Sequence, residues 1–505
     1  MKQYDIRITH QNHSYCKVIA SDNIIREMYD YFSFHIEGYK FNPKYKYGLW
    51  DGKIRLIGLD GTCPRGLVKQ VAYFAKLYEY SCTADKELFP TPAFESIDDC
   101  RDWIASHDIY SGNTKITPHW YQSEAVFRAL NRNRAILNLP TSSGKSLIQA
   151  LLSKWYCEHQ SDKILILVPT TQLVLQMIDD FTDYRLFNRD DMLGIKAGTM
   201  KDSKARIYVS TWQSAVKQGQ EWFNQFGMLL ADEVHLATGT SISSIIKKMK
   251  YCPYKIGLSG SLRDGKANML QYVGLFGEIY APVTTRQLMD EGQIADLGIN
   301  IMKLSYSQEE RKLAKKMTYD KEIAMLATHS LRNAFICRLA AKLANGDQNV
   351  LMTFRHKKQG ELLLAAMKKL LGDDRVSYVT GDVKTESRNE IKLGAEDKKG
   401  IVIVASLGVF STGVSIKNLH HVFLCAPIKS KITVVQTIGR SLRKHASKAK
   451  AILWDFVDDL RVKSTRKNAK KPYSYENYAF QHGTARTERY IMEEFDYQIK
   501  EVTIS

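Results

Sequence analysis

A chain of 505 residues is too long for one hydrophobic core and sets an expectation of about three domains. With 44% hydrophobic and 25% charged residues it is neither disordered nor fibrous; no apolar run is long enough to span a bilayer, and no signal-peptide core follows the first residues, so a cytoplasmic location is expected. Lys and Arg outnumber Asp and Glu by 72 to 54, a formal net charge of +18 that favours a polyanionic partner, and the eight cysteines show no Cys-x-x-Cys spacing, which argues against a zinc site or a disulfide framework.

Residues 1–90 read as a small α+β domain that binds nucleic acid. Its middle, Tyr39 to Arg55, interleaves Lys40, Lys44, Lys46, Lys53 and Arg55 with Tyr39, Phe41, Tyr45, Tyr47 and Trp50. Cations neutralise phosphate while aromatic faces stack on bases; the same aromatics would equally serve as the core of a small domain. A Pro-containing linker follows at 89–94. Residues 91–295 then repeat strand and helix patterns, with strands expected at 135–139, 163–168, 206–211, 228–232 and 255–259, which implies a parallel sheet covered on both faces. The stretch 293–335 reads as a charged, mostly helical connector. The alternation resumes over 296–460 with strands at 349–354, 376–380, 400–405, 421–425 and 451–455. The last segment, 461–505, opens with six basic and no acidic residues between Arg461 and Lys471 and continues Tyr-rich and helix-compatible. Lys44, Lys46, Trp50 and Lys53, and later Arg461, Lys463, Arg466 and Lys467, are the candidate nucleic-acid contacts; a solvated basic tail is the alternative for the second group.

Chemistry concentrates at two places in the first α/β unit. Between Ala135 and Ser146 an apolar run breaks into the small-residue loop Thr141, Ser142, Ser143, Gly144, and a helix pattern opens at Lys145. Loop amides and the helix start can cradle phosphate, Lys145 can reach the β- and γ-phosphates, and the Ser146 hydroxyl can hold Mg²⁺. Leu139 stands where the full phosphate-loop pattern has glycine. Some 90 residues on, Asp232-Glu233-Val234-His235 closes the run Met228–Ala231. Carboxylates there lie at the C-terminal edge of a parallel sheet, where Asp232 can hold Mg²⁺ and Glu233 can polarise an attacking water.

The pairing of these two motifs resembles the superfamily-two helicases and translocases, and further motifs follow in that family's order. Trp120-Tyr-Gln122 is similar to its adenine-reading glutamine motif. Val168-Pro-Thr-Thr-Gln172 and Ser210-Thr-Trp-Gln-Ser214 are similar to segments that grip the nucleic-acid backbone, and Leu258-Ser-Gly-Ser-Leu262 to the one coupling hydrolysis to lobe movement. Ser411-Thr-Gly-Val-Ser-Ile416 and Gln436-Thr-Ile-Gly-Arg-Ser-Leu-Arg443 are similar to the fifth and sixth motifs. The resemblance implies two tandem RecA-like parallel-sheet domains behind the small N-terminal one. It implies an ATP-dependent, nucleic-acid-stimulated motor using ATP and Mg²⁺. Lys145, Asp232, Glu233, Gln436, Arg440 and Arg443 would be catalytic; Gln122, residues 141–146 and Gly413 would bind nucleotide; His235, Ser259 and Ser261 would couple. Helical spacing of three puts Arg440 and Arg443 on one face, as an arginine finger needs. Ser142 replaces the usual glycine, Ser259-Gly-Ser261 the usual Ser/Thr-Ala-Thr, and Ser415 a common Asp. Total length, the N-terminal unit, the Asp-Glu-x-His box and the Ser-Gly-Ser segment are similar to the branched-DNA helicases of T-even bacteriophages. That implies a monomer acting on forks, Holliday junctions and RNA–DNA hybrids in recombination, repair and replication control. The alternatives are a duplex-DNA translocase that moves without separating strands, and a nucleic-acid-binding protein with a vestigial ATP site.

Overall fold

The computed structural model describes residues 4–36, 38–195, 204–236, 239–260, 262, 266–381, 398–408, 418–428, 450–464 and 472–504. The chain forms two compact units, Met1–Val283 and Thr284–Ser505.

The first unit begins with a four-stranded sheet in the order Thr62–Pro64, Tyr15–Ile19, Ile6–His10, Cys82–Ala84. Alternation buries Ile6, Ile8, Cys16 and Val18 on one face. Helices Asp22–Tyr31 and Val68–Leu77 cover that face with Ile24, Ile25 and Met28 and with Val71, Phe74 and Ala75, at the three- and four-residue spacing of an amphipathic helix. The aromatic, basic stretch stays outside this core. It leaves through the strand Ser33–His35, turns through Tyr39–Phe41 and the short helix Pro43–Lys46, and returns through Lys53–Arg55. Asn42 caps the short helix, its Oδ1 accepting from Lys44 N at 3.0 Å. Phe41, Tyr47 and Leu49 are 80%, 79% and 77% exposed, so the reading in which this stretch's aromatics form the domain's own core fails for its tip.

This small domain is fastened to the sheet that follows. Val273 packs into the small domain's core. Gly66 comes so near the helix Lys266–Phe276 that a Cβ there would stand 2.1 Å from the Val273 carbonyl oxygen. Three cations stitch the seam, Lys255 and Arg65 buried and Arg134 half-buried. Lys255 donates to the carbonyls of His13 (2.8 Å), Met249 (3.0 Å) and Cys252 (2.6 Å). Arg134 donates to the carbonyls of Leu275 (3.0 Å) and His13. Arg65 reaches the Nδ1 atoms of His10 (3.2 Å) and His13 (3.0 Å) and the carbonyl of Glu87. Their partners are carbonyls and imidazoles, not carboxylates. Burial accordingly drives the Lys255 amine well below its ordinary range, and burial with the neighbouring Arg65 takes His13 down to about 3.

The rest of the unit is a seven-stranded, wholly parallel sheet. Its order is Met192–Ile195, Ile207–Thr211, Lys163–Val168, Phe226–Ala231, Tyr254–Ser259, Arg134–Asn138, Ile279–Tyr280. Its central strands are continuous apolar runs, as a sheet covered on both faces requires: Ile164 to Val168 and Met228 to Ala231 are fully buried.

The second unit carries another seven-stranded parallel sheet: Val376–Val379, Val402–Ser406, Val350–Phe354, His421–Leu424, Lys450–Asp459, Asp296–Ser305, Tyr497–Thr503. Two of these strands lie where the sequence reading put other things. Asp296–Ser305, read as the start of a mostly helical connector, pairs over all ten residues with Lys450–Asp459. Its buried Leu297, Ile299, Ile301 and Leu304 alternate for most of its length, but charged helix-forming sequence on its C-terminal side hides the period. The helices Gln308–Ala314, Tyr319–Thr328 and Ser330–Ala344 do follow it. The final strand, Tyr497–Thr503, lies inside the supposed basic tail and closes one edge of the sheet.

The helix Tyr478–Met492 brings the chain to that edge. Its first turn is held by Glu322, fully buried, which accepts from Asn477 Nδ2 (3.1 Å), Tyr478 N (3.2 Å), Ala479 N (2.8 Å) and Tyr475 Oη (3.2 Å). Farther along, Arg486 forks onto Asp455 at 2.6–3.1 Å and donates to the Ile428 carbonyl, while Tyr490 Oη donates to Asp455 at 2.8 Å.

Candidate nucleotide site

The strand Arg134–Asn138 ends beside Ser259, and the Leu139 amide donates to the Ser259 carbonyl at 2.8 Å. From there the chain turns through the small-residue loop into the helix Lys145–His159. Two residues of the loop have left-handed backbones, Ser142 with φ +69° and Gly144 with φ +77°. At the first position an L-residue is strained, and a glycine would not be. At the second, any Cβ would stand 2.3 Å from Gln122 Nε2.

Gln122 is buried and spends both ends of its carboxamide locally. Nε2 donates to the Ser143 carbonyl at 2.9 Å, and Oε1 accepts from the His119 amide at 2.8 Å. The expected adenine reader thus braces the phosphate loop with one of its two N–H groups and one of its two oxygen lone pairs. Lys145 Nζ lies 3.3 and 3.4 Å from the carbonyls of Pro140 and Leu139 and 3.9 Å from Glu233 Oε1. The Ser146 hydroxyl shares a 2.7 Å hydrogen bond with that of Tyr184.

The carboxylates arrive from the neighbouring strands. Phe226–Ala231 is flanked by Lys163–Val168 and Tyr254–Ser259, and the Asp232 amide donates to the Leu167 carbonyl at 2.8 Å. Asp232 and Glu233 thus emerge at the same edge as the loop, Glu233 with φ +47°. Asp232 Oδ1 is shut from solvent and has no hydrogen-bond partner. Burial, reinforced by Glu233 and opposed by Lys145, pushes the Asp232 carboxyl up to about 7. An oxygen in that condition fits a cation: a divalent ion would satisfy it and lower its proton affinity. Among the described residues there is no cluster of three His, Cys, Asp or Glu that would hold a metal unaided.

Behind the carboxylates lies a buried imidazole. His235, fully buried, has Nδ1 2.8 Å from Ser259 Oγ and 3.3 Å from Glu233 Oε2. The expected coupling residues His235 and Ser259 are in direct contact, and both adjoin strands that carry the site. A Cβ on Gly260 would lie 3.4 Å from Lys145 Nζ, so Gly260 borders the lysine itself.

Three family models match the chain: the N-terminal domain of the DNA helicase UvsW over residues 5–85, the res subunit of type III restriction enzymes over 115–264, and the helicase conserved C-terminal domain over 331–445. The ATP-dependent DNA helicase UvsW of enterobacteria phage T4 is 49% identical over 99% of this chain and 100% of its own length. The chain belongs to the UvsW helicase family. The crystal structure of T4 UvsW matches with a TM-score of 0.54, covering 99% of this chain and 100% of that one at 48% identity. A more distant relative is the DNA 3′-5′ translocase XPB2 of Sulfurisphaera tokodaii, 27% identical over 66% of this chain and 80% of its own length. A DNA-bound type ISP restriction-modification enzyme shares the fold at 14% identity, with a TM-score of 0.55 over 77% of this chain and 32% of that one. No described helix of this UvsW-family chain is long and apolar enough to cross a membrane.

Of the other residues singled out from sequence, Ser261, Gly413, Gln436, Arg440, Arg443, Arg466 and Lys467 lie outside the described residues. Lys44 and Lys46 are exposed on the helical tip beside Phe41 and Tyr47, and Lys53 is half-buried at its base. Trp50 is half-buried, its Nε1 donating to the Lys53 carbonyl at 2.8 Å, so it supports the tip. Arg461 is already engaged: it forks onto Asp459 at 2.8–2.9 Å and stacks on Tyr473 and Phe480 at 3.9 and 3.6 Å. Lys463 is exposed. The sequence reading missed Tyr184 and its neighbours, since nothing local marks a tyrosine 38 residues from the serine it touches.

Proposed function

We propose that this ATP-dependent helicase remodels branched DNA, including forks, four-way junctions and RNA–DNA hybrids, in recombination, repair and replication control. The observation that carries the motor is the sheet edge where Lys145, Ser146, Asp232 and Glu233 converge, with a buried carboxylate oxygen lacking any protein partner. In this reading Ser146 and Asp232 hold Mg²⁺, which neutralises phosphate charge when bound. Lys145 gives up loop carbonyls for the β- and γ-phosphates. Glu233 orients the attacking water and passes the state of the site to His235 and Ser259. The family resemblance gives Arg440, Arg443 and Gln436 the remaining roles in hydrolysis, the arginines as donors of guanidinium charge. Nucleic acid stimulates turnover. The preference for branches rests on the match of residues 5–85 to the UvsW N-terminal model and on the exposed apolar and basic tip at 41–49.

The test is ATPase activity on a fork, a four-way junction, an R-loop, linear duplex and single strand. Branched substrates should stimulate most, and Lys145→Ala should lower the stimulated rate at least about 100-fold with DNA affinity largely kept. Equal stimulation by plain duplex, with triplex displacement and no strand separation, would replace the helicase reading by the translocase one.

A further inference from the structure

Tyr184 follows the helix Thr171–Asp183 and sits in a turn that the fold holds with unusual care. The next residue, Arg185, has φ +59°, a left-handed backbone that a long side chain rarely adopts. The turn is pinned to the hairpin Tyr110–Lys115 from three sides. The Asp183 carboxylate accepts from the Gly112 amide at 2.9 and 3.0 Å. The Arg185 guanidinium lies 3.9 Å above the Tyr110 ring and donates to the Gly112 carbonyl at 3.3 Å. The Tyr184 carbonyl accepts from the Tyr110 amide at 3.3 Å. That hairpin directly precedes the helix Trp120–Arg132, which carries Gln122 to the phosphate loop. What the turn presents is one phenolic hydroxyl, 2.7 Å from Ser146 Oγ.

We propose that Tyr184 is a positioning residue for the metal-ligating serine: its hydroxyl accepts the Ser146 proton and so keeps the serine lone pairs turned toward Mg²⁺. A serine hydroxyl has one proton and two lone pairs; when the proton has a fixed acceptor, the lone pairs have a fixed direction. Groups in this position around a metal typically change its affinity 10–100-fold when removed. The inference rests on the proposed role of Ser146 and deepens it: the strained turn at Arg185 and its clasp on the hairpin exist to place that acceptor.

The experiment measures binding of a fluorescent ADP analogue to the full chain during Mg²⁺ titration, with a parallel series in EDTA. Tyr184→Phe removes the hydroxyl alone and should raise the Mg²⁺ concentration for half-maximal tightening about tenfold while leaving affinity in EDTA unchanged. Arg185→Ala, which loosens the turn without touching the hydroxyl, should shift it the same way by less. Equal melting temperatures for Tyr184→Phe and the unaltered chain separate the effect from unfolding. Ser146→Ala is the reference. If it abolishes the Mg²⁺ effect and Tyr184→Phe leaves the titration unmoved, the positioning role is wrong while the serine's role survives. If Ser146→Ala leaves the Mg²⁺ effect intact, the reading beneath fails as well.

Discussion

Asp232 shows how a single carboxyl can report on a site. Its folded pKa of about 7 stands above the ordinary value near 3.8, chiefly because burial disfavours the charge. The sign follows: a proton held by the fold to higher pH than by the open chain stabilises the fold at low pH, and that contribution is lost as pH rises from about 4 through about 7. Nucleotide-free protein should therefore lose more melting temperature between pH 5 and pH 8 than its Asp232→Asn variant, which cannot titrate there. Parallel curves for the two would mean that the carboxyl is ionised throughout. Gln122→Ala tests the brace: losing the bond to the Ser143 carbonyl should weaken ATP binding roughly tenfold, seen in KM more than in kcat. Residues of this kind were legible in the sequence where the motif is contiguous. Lys145, Ser146, Asp232 and Glu233 announce themselves within a few neighbours. That Gln122 holds the loop, or that Tyr184 meets Ser146, depends on helices returning to one edge, and a linear pattern carries no sign of it.

Among the elements, the alternating strands and helices of both units were legible because buried parallel strands are short continuous apolar runs. The strand Asp296–Ser305 was not, since charged sequence crowds it and its pairing partner lies about 150 residues away. The last helix, Tyr478–Met492, shows the same blindness: its Arg486 looks like any basic residue of a polar helix, yet it is fully buried against Asp455. Arg486→Ala strands that carboxylate, its Tyr490 donor aside, and should cost about 3–5 kcal/mol in urea unfolding of the second unit. A loss below 1 kcal/mol would show that water reaches Asp455. Ending the chain before residue 472 should be worse, because Glu322 then loses four donors at once and the sheet loses an edge strand.

At the scale of the molecule, the excess of cations looked from sequence like a reserve for nucleic acid. Arg65, Arg134 and Lys255 are instead spent inside the first unit, on carbonyls and imidazoles at the seam between the small domain and the sheet. Composition counts charges without saying which way they face. Gly66 is the sharpest probe of that seam, because the carbonyl a Cβ would meet is backbone and has nowhere to go. Gly66→Ala should destabilise the first unit by about 1–3 kcal/mol and raise amide exchange in residues 62–77. Unchanged exchange would show a looser junction than the 2.1 Å approach indicates. The seam makes the small domain and the sheet that bears the ATP loop one compact unit. Under the proposed function, a strand bound at the 41–49 tip would be tethered to the same body that holds the nucleotide.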